Sequence, residues 1–145
     1  MIKYFWYAQD ATSLYRKILS AQPDTSVVII SIELTTNSKN LIISKPDSYS
    51  SLNGLSLISK KVKMLSMMGG HFPSGKKEWN FAGDAKATKI IIDNWPTPII
   101  FSGSEIGENI KTGRILSDKT PINNPVRKSF ELFAAIQPEN NILVN

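Results

Sequence analysis

The sequence predicts an α/β fold: a parallel or mostly parallel sheet with helices on both faces. Two observations carry this expectation. Short β-branched runs alternate along the chain with amphipathic stretches of helical period, and those runs are apolar throughout rather than alternating with polar residues. Parallel neighbours need crossover connections, and the helices of those crossovers then cover the sheet.

Residues 10–21, DATSLYRKILSA, set Leu14, Ile18 and Leu19 on one helical face with Arg16 and Lys17 opposite, and Pro23 stops the helix. SVVIISIEL is too short for a typical helix and suits a strand over 27–32 buried on both faces. NSKNLIISK reads as a short helix ended before Pro46, with Asn37, after two threonines, as its simplest N-cap. SYSSLNG is a turn-rich loop. KVKMLSMM gives a second strand over 62–67, and DAKATKIIIDN a helix capped by Asp84. TPIIFSG is a third strand over 98–101, reached through the rigid WPTP. SEIGENIK suggests a short helix with a capping box between Ser102 and Glu105, weakened by Gly107. NPVRKSFELFAAI is amphipathic, with Pro125 in its first turn and Val126, Phe130 and Phe133 on one face.

Composition narrows the function classes. A chain of 145 residues, 41% hydrophobic and 20% charged, is long enough to bury a core as one domain over 1–145. The 17 basic against 12 acidic residues leave a net charge of +5. Apart from the pairs Lys60-Lys61 and Lys76-Lys77 the lysines are scattered, and no basic helix is interleaved with aromatics. A solvated basic surface is therefore expected, not a nucleic-acid partner. The absence of cysteine excludes a disulfide framework and a thiolate metal site. MIKYFWYAQD lacks the pattern of a secretory signal, and no apolar run approaches the about 20 residues of a membrane span. The expected compartment is the cytoplasm, with no membrane partner.

In parallel α/β sheets ligands sit outside the carboxyl ends of the strands. That rule selects ELTTN, GGHFPSGKKEWN and SGSEIG. Gly69-Gly70 allows either close approach of a ligand or a tight strand exit; without a GxxG or Gly-Lys-Ser/Thr continuation the turn is favoured. His71 has no second histidine and no cysteine with which to share a metal. Glu78 and Asn80, one residue apart, point to the same side of an extended backbone while Trp79 points to the other. A carboxylate beside a carboxamide suits sugar hydroxyls. Equally, the segment reads as a solvated loop that Trp79 anchors in the core.

Three segments taken in order resemble a known family. LSMMGGHFPSGKKEWNFAGDAKAT resembles the nucleoside hydrolases, the inosine-uridine-preferring N-ribohydrolases, in which an apolar strand is followed by Met-Gly-Gly, a variable loop, Glu-Phe-Asn and a helix opened by Asp-x-x-Ala. LYRKILSAQPDTSVVIISIELTTNSKNLI is similar to the preceding family segment, whose strand ends in Leu-Thr-Asn-Leu, and NWPTPIIFSGSEIGENIKTGRIL to the following one, nearest a bacterial branch. The likeness spans roughly residues 14–133 and corresponds to the central part of the family's domain, an incomplete version of its fold.

The resemblance implies roles by position. Glu78 and Asn80 would hydrogen-bond ribose hydroxyls, Met68 would contact the sugar, and the backbone carbonyl of Thr36 would bind a calcium ion. In the full-length family that calcium also binds the ribose diol and the attacking water. It implies hydrolysis of the N-glycosidic bond of ribonucleosides, a glycosidase chemistry of purine and pyrimidine salvage. The family's Asp-x-Asp-x-Gly-x-Asp-Asp cluster, which supplies the base and the metal carboxylates, does not occur in this sequence, nor do the later histidine and aspartate. Glu33 stands where the family usually has glycine, and Trp79 where it has phenylalanine. The expectation is a chain inactive alone, without bound calcium, that meets ribonucleosides at most weakly and either self-associates or joins a complementing chain. The alternative is a non-catalytic ribose-binding or purely structural α/β module.

Overall fold

The computed structural model describes residues 8–108, 110 and 114–136. The chain divides into two compact units, Met1–Ser104 and Glu105–Asn145. The first contains α1 (Ala11–Ser20), β1 (Val27–Ser31), α2 (Thr36–Ile42), α3 (Gly54–Lys61), β2 (Val62–Met68), α4 (Trp79–Gly83), α5 (Ala85–Asn94) and β3 (Ile99–Ser102). A short α6 (Ser104–Glu108) follows, so Gly103 rather than Ser102 precedes that helix and Ser102 closes β3.

The three strands are parallel in the order β1-β2-β3, as the alternation of elements predicts. Register pairs Ile29 with Leu65 and Leu65 with Ile99, then Ser31 with Met67 and Met67 with Phe101, so these residues share one face. Onto that face α1, α2, α3 and α5 bring Leu19, Leu41, Ile42, Leu57, Ile58 and Ile91, with Trp95 just beyond α5. The result is a single buried cluster between one helical layer and one side of the sheet.

The other side departs from the expectation of a strand buried on both faces. Val28, Ile30 and Ile100 alternate with the core residues and are exposed, Ile30 by 70%. The reason is topological. Strand–helix–strand crossovers between parallel strands are right-handed, and two successive crossovers that step the same way across a sheet lay their helices on the same side. Covering both sides takes a reversal of strand order, and β1-β2-β3 contains none.

Helix α1 reverses the face assigned to it. Arg16 is 2% exposed while Leu14 and Ile18 are 40% and 49% exposed; of the expected apolar face only Leu19 is buried. Arg16 is buried because each of its three guanidinium nitrogens finds a partner. Its guanidinium donates to both Asp47 carboxylate oxygens at 2.8 and 3.1 Å, to Ser44 Oγ at 2.9 Å, and to the Ser50 and Leu52 carbonyls at 3.0 and 2.8 Å. The turn-rich 47–53 segment is thus wrapped around one side chain. It then enters α3, whose first turn is capped by Asn53 accepting from the Ser56 amide at 2.9 Å.

Two other helix starts divide between expectation and correction. Asp84 caps α5 as predicted, accepting from Ala87 N at 3.0 Å. Asn37 does not cap α2: Thr35 precedes the helix, and Asn37, inside its first turn, donates to Glu33 Oε1 at 2.7 Å. In the second unit, α7 (Arg114–Lys119) is followed by α8 (Pro125–Ile136). Asn124 Oδ1 caps α8 by accepting from the amides of Val126 and Arg127, which puts Pro125 at the first helical position as expected. Arg127 reaches back to the Thr120 carbonyl at 2.8 Å and forward to Glu131 at 2.7 Å.

Removing a buried guanidinium strands the groups it served. Arg16→Ala should therefore lower unfolding free energy by about 3–5 kcal/mol, read as a lower urea midpoint with an unchanged slope. The same ion pair makes stability depend on pH. The bonded Arg16 guanidinium holds the Asp47 carboxyl below its ordinary range, opposed by partial desolvation and aided by the Ser50 and Tyr49 amides. A carboxyl depressed in the folded state contributes stability above its unfolded pKa and loses it as pH falls through the folded value. Asp47→Asn should be less stable than the native chain at neutral pH, with the gap closing below about pH 4.

Candidate functional site

Strand β2 ends at Met68, and the chain turns at once. Gly70 takes φ +77°, the left-handed region that glycine enters without penalty. A Cβ on Gly69 would stand 2.0 Å from the Phe81 ring, so the first glycine serves close packing and the second the turn. Gly69 N donates to the Ser102 carbonyl at 3.1 Å, and the Gly70 carbonyl accepts from Ser104 N at 2.9 Å, fastening the strand exit to β3 and the residues after it.

The loop returns to the strand end through Glu78. This residue is buried and extended, and it caps α4. Its Oε1 accepts from Asn80 N at 2.8 Å, and its Oε2 accepts from Phe81 N at 3.1 Å and from Gly70 N at 3.0 Å. One carboxylate therefore starts a helix and closes an eight-residue gap in the chain. Such acceptance from backbone N–H groups is the charge-assisted form of a helix cap.

Asn80, in the first turn of α4, donates its side-chain amide to the Met68 carbonyl at 3.2 Å and lies 2.9 Å from the Met68 sulfur. The three residues singled out as sugar contacts, Met68, Glu78 and Asn80, do gather at the carboxyl end of β2. They gather by a different geometry from the extended one expected, because the backbone turns helical at Trp79. Trp79 itself is 80% exposed and anchors nothing in the core. Phe81 takes that part, its ring edge-on to Phe101 at 5.9 Å, with Phe72 against the same Phe101 ring at 5.9 Å.

Thr36 lies with a different group. It opens α2, its hydroxyl donates to Asp84 Oδ2 at 2.7 Å, and helical geometry turns its carbonyl along the helix axis. The Thr36 hydroxyl, then the Ala87 amide and more weakly Lys39 and Lys86, hold the Asp84 carboxyl below its ordinary range. Thr35, fully buried, shares a 3.0 Å hydrogen bond with Thr88 of α5. Calcium asks for six to eight oxygens with carboxylates among them. The carboxylates nearest Thr36 are engaged, Asp84 with Thr36 and Ala87, Glu33 with Asn37, and this donor set does not fit calcium by itself. Among the described residues no three histidine, aspartate or glutamate side chains converge as a metal-binding group.

Under the 70–78 loop, between it and helices α4 and α5, runs a cleft of about 390 Å³. Glu78 forms part of its wall, whereas Met68 and Asn80 do not line it. His71 Nδ1 and Ser74 Oγ share a 2.7 Å hydrogen bond at its rim, which gives the histidine a loop-shaping role. Lys76 and Lys77, exposed as a solvated basic pair would be, also border this cleft. Only their place between a glycine turn and a buried glutamate could have marked them.

No protein-family model, curated protein or solved structure matches this chain. Among the described residues no helix is long and apolar enough to cross a membrane.

The clamp has a measurable weight. Glu78→Gln places an NH2 group against backbone N–H donors, and thermal or urea unfolding should show a loss of about 1–3 kcal/mol. Gly69→Ala, which forces Phe81 to move, should cost a similar amount, about 1–3 kcal/mol.

Proposed function

We propose that this chain is a nucleoside hydrolase-like protein that keeps the ribose-facing part of the site and does not hydrolyse nucleosides alone. The observation that carries the reading is the bonding of Asn80 to Met68, beside Glu78 clamped to Gly70, at a strand end where α/β ligands sit. These are the positions that the sequence resemblance assigns to the sugar.

The acceptor count fits a diol. A carboxylate offers about four lone-pair directions, and three at Glu78 are filled by N–H groups, which leaves one. The Asn80 amide nitrogen is spent on Met68, which leaves its carbonyl oxygen. Two acceptors remain, and the two hydroxyls of a ribose are donors. Hydrolysis needs more: a base for the water and stabilisation of the charge that develops as the nucleobase departs. The aspartate cluster that supplies that base in the family is not in this sequence. A complementing chain, or a second copy, would meet the protein on the apolar outer face of Val28, Ile30 and Ile100.

A second reading has its own support. Three backbone hydrogen bonds give Glu78 a role in the loop whether or not a sugar ever arrives, as in a purely structural module.

Calorimetric titration with inosine separates the two. Two uncommitted acceptors, set against the several kcal/mol that association costs, should give a dissociation constant weaker than about 1 mM, unchanged by calcium. The backbone amides of Met68 and Asn80 should shift in the NMR spectrum, and Asn80→Ala should abolish those shifts. A micromolar, calcium-dependent isotherm, or turnover of inosine by the purified chain, overturns the non-hydrolysing reading. No shift at these amides leaves the structural module.

A further inference from the structure

We propose that the cleft under the 70–78 loop is a separate binding site, and that its ligand is a small aryl carboxylate. The proposal goes beyond the ribose reading and does not rest on it, because Met68 and Asn80 stand outside the cleft.

The chemistry of the ligand follows from which groups lining the cleft are still free. The Thr88 hydroxyl is taken up by Thr35 and by the Phe81 and Asp84 carbonyls. The charge of Glu78, the lining's carboxylate, is met by three N–H groups. Lys76 and Lys77 differ: neither ammonium pairs with a described carboxylate. The carboxylate and the threonine hydroxyl of the lining are thus mostly engaged within the protein, and the two lysines are its uncommitted charges.

The body of the ligand is set by the walls. Phe72, 46% exposed, and Phe81 both line the cleft, and both rings are held against Phe101 at 5.9 Å, so the apolar surface is fixed before anything binds. Planar rings stack or meet edge-on with such walls at little entropic cost. A volume of about 390 Å³ lies in the range of small-molecule sites, which are mostly apolar with a few polar groups that fix orientation. The anionic end belongs over Lys76 and Lys77, away from Glu78.

Amide NMR titration with phenylacetate and with its uncharged counterpart phenylacetamide tests this. Phenylacetate should shift the amides of Gly75, Ala82 and Ala85 and bind about fivefold more tightly than phenylacetamide, the scale of two exposed charge contacts. In the double variant Lys76→Gln, Lys77→Gln that preference should vanish while the spectrum stays folded. Equal binding of the two compounds by the native chain overturns the proposal. So do shifts confined to other residues, the absence of binding, or a preference that survives in the variant. Inosine shifts at Met68 and Asn80 are scored separately, so either site can fail without the other.

Discussion

A strand, a helix and a parallel strand close with a right-handed turn because the twisted strand and right-handed helix pack back onto the sheet only that way. Here that chirality acts twice in the same direction, through α2–α3 and through α4–α5, and strand order advances β1-β2-β3 without reversal. The helical layer, the core and the bare outer face with Ile30 all follow. So does the kind of site available. A sheet whose order reverses opens a crevice between diverging loops at its carboxyl edge. Without a reversal, any enclosure must be made by a loop that folds back on its own strand, as residues 69–78 do.

That fold-back depends on Glu78. A loop of this length closes only if its backbone donors are met, and the Glu78 carboxylate meets three of them from the two ends of the loop at once. Gly69 makes room for Phe81, and Phe81 and Phe72 share Phe101, so polar clamp and aromatic packing draw the loop to the same place. The two threonines of the neighbouring strand exit work in parallel. Thr35 bonds Thr88, Thr36 bonds Asp84, and together they tie α2 to α5. Residues whose types suggest ligand chemistry are largely occupied in holding the strand ends together.

What the sequence made legible divides along this line. The three strands, the helices of α1, α2, α5 and α8, and the Asp84 cap were readable because each depends on periodicity or on a residue's immediate neighbours. The face of α1 was not, because Arg16 is buried by partners 28 to 36 positions away, and hydropathy ranks an arginine as exposed however well it is paired. Helix α3 hid behind a serine-rich approach. Its own eight residues, GLSLISKK, are too few to stand out from the turn before them. Asn37 and Thr35 are both plausible caps by type, and only the position of the α5 threonine decides between them. Met68, Glu78 and Asn80 come together at the end of β2, but not by the geometry their spacing suggested. Period-two spacing assumes extended backbone, and a glutamate that caps a helix ends the extended segment at itself.

The capping role of Glu78 also limits what kind of recognition this strand end can support. A carboxylate that balances three backbone N–H dipoles is fixed in position and rotamer, so it cannot swing to meet a substrate without opening the loop. What it can do is present a rigid acceptor, with Asn80 held beside the strand end by Met68. Rigid acceptors favour ligands that bring their own donors in a fixed spacing, and vicinal hydroxyls on a ring are such donors. The same rigidity shapes the cleft on the other side of the carboxylate, where the charge of Glu78 is already answered and the lysines are not. One buried glutamate thus takes part in both places, holding the strand end and walling the cleft that Lys76 and Lys77 border.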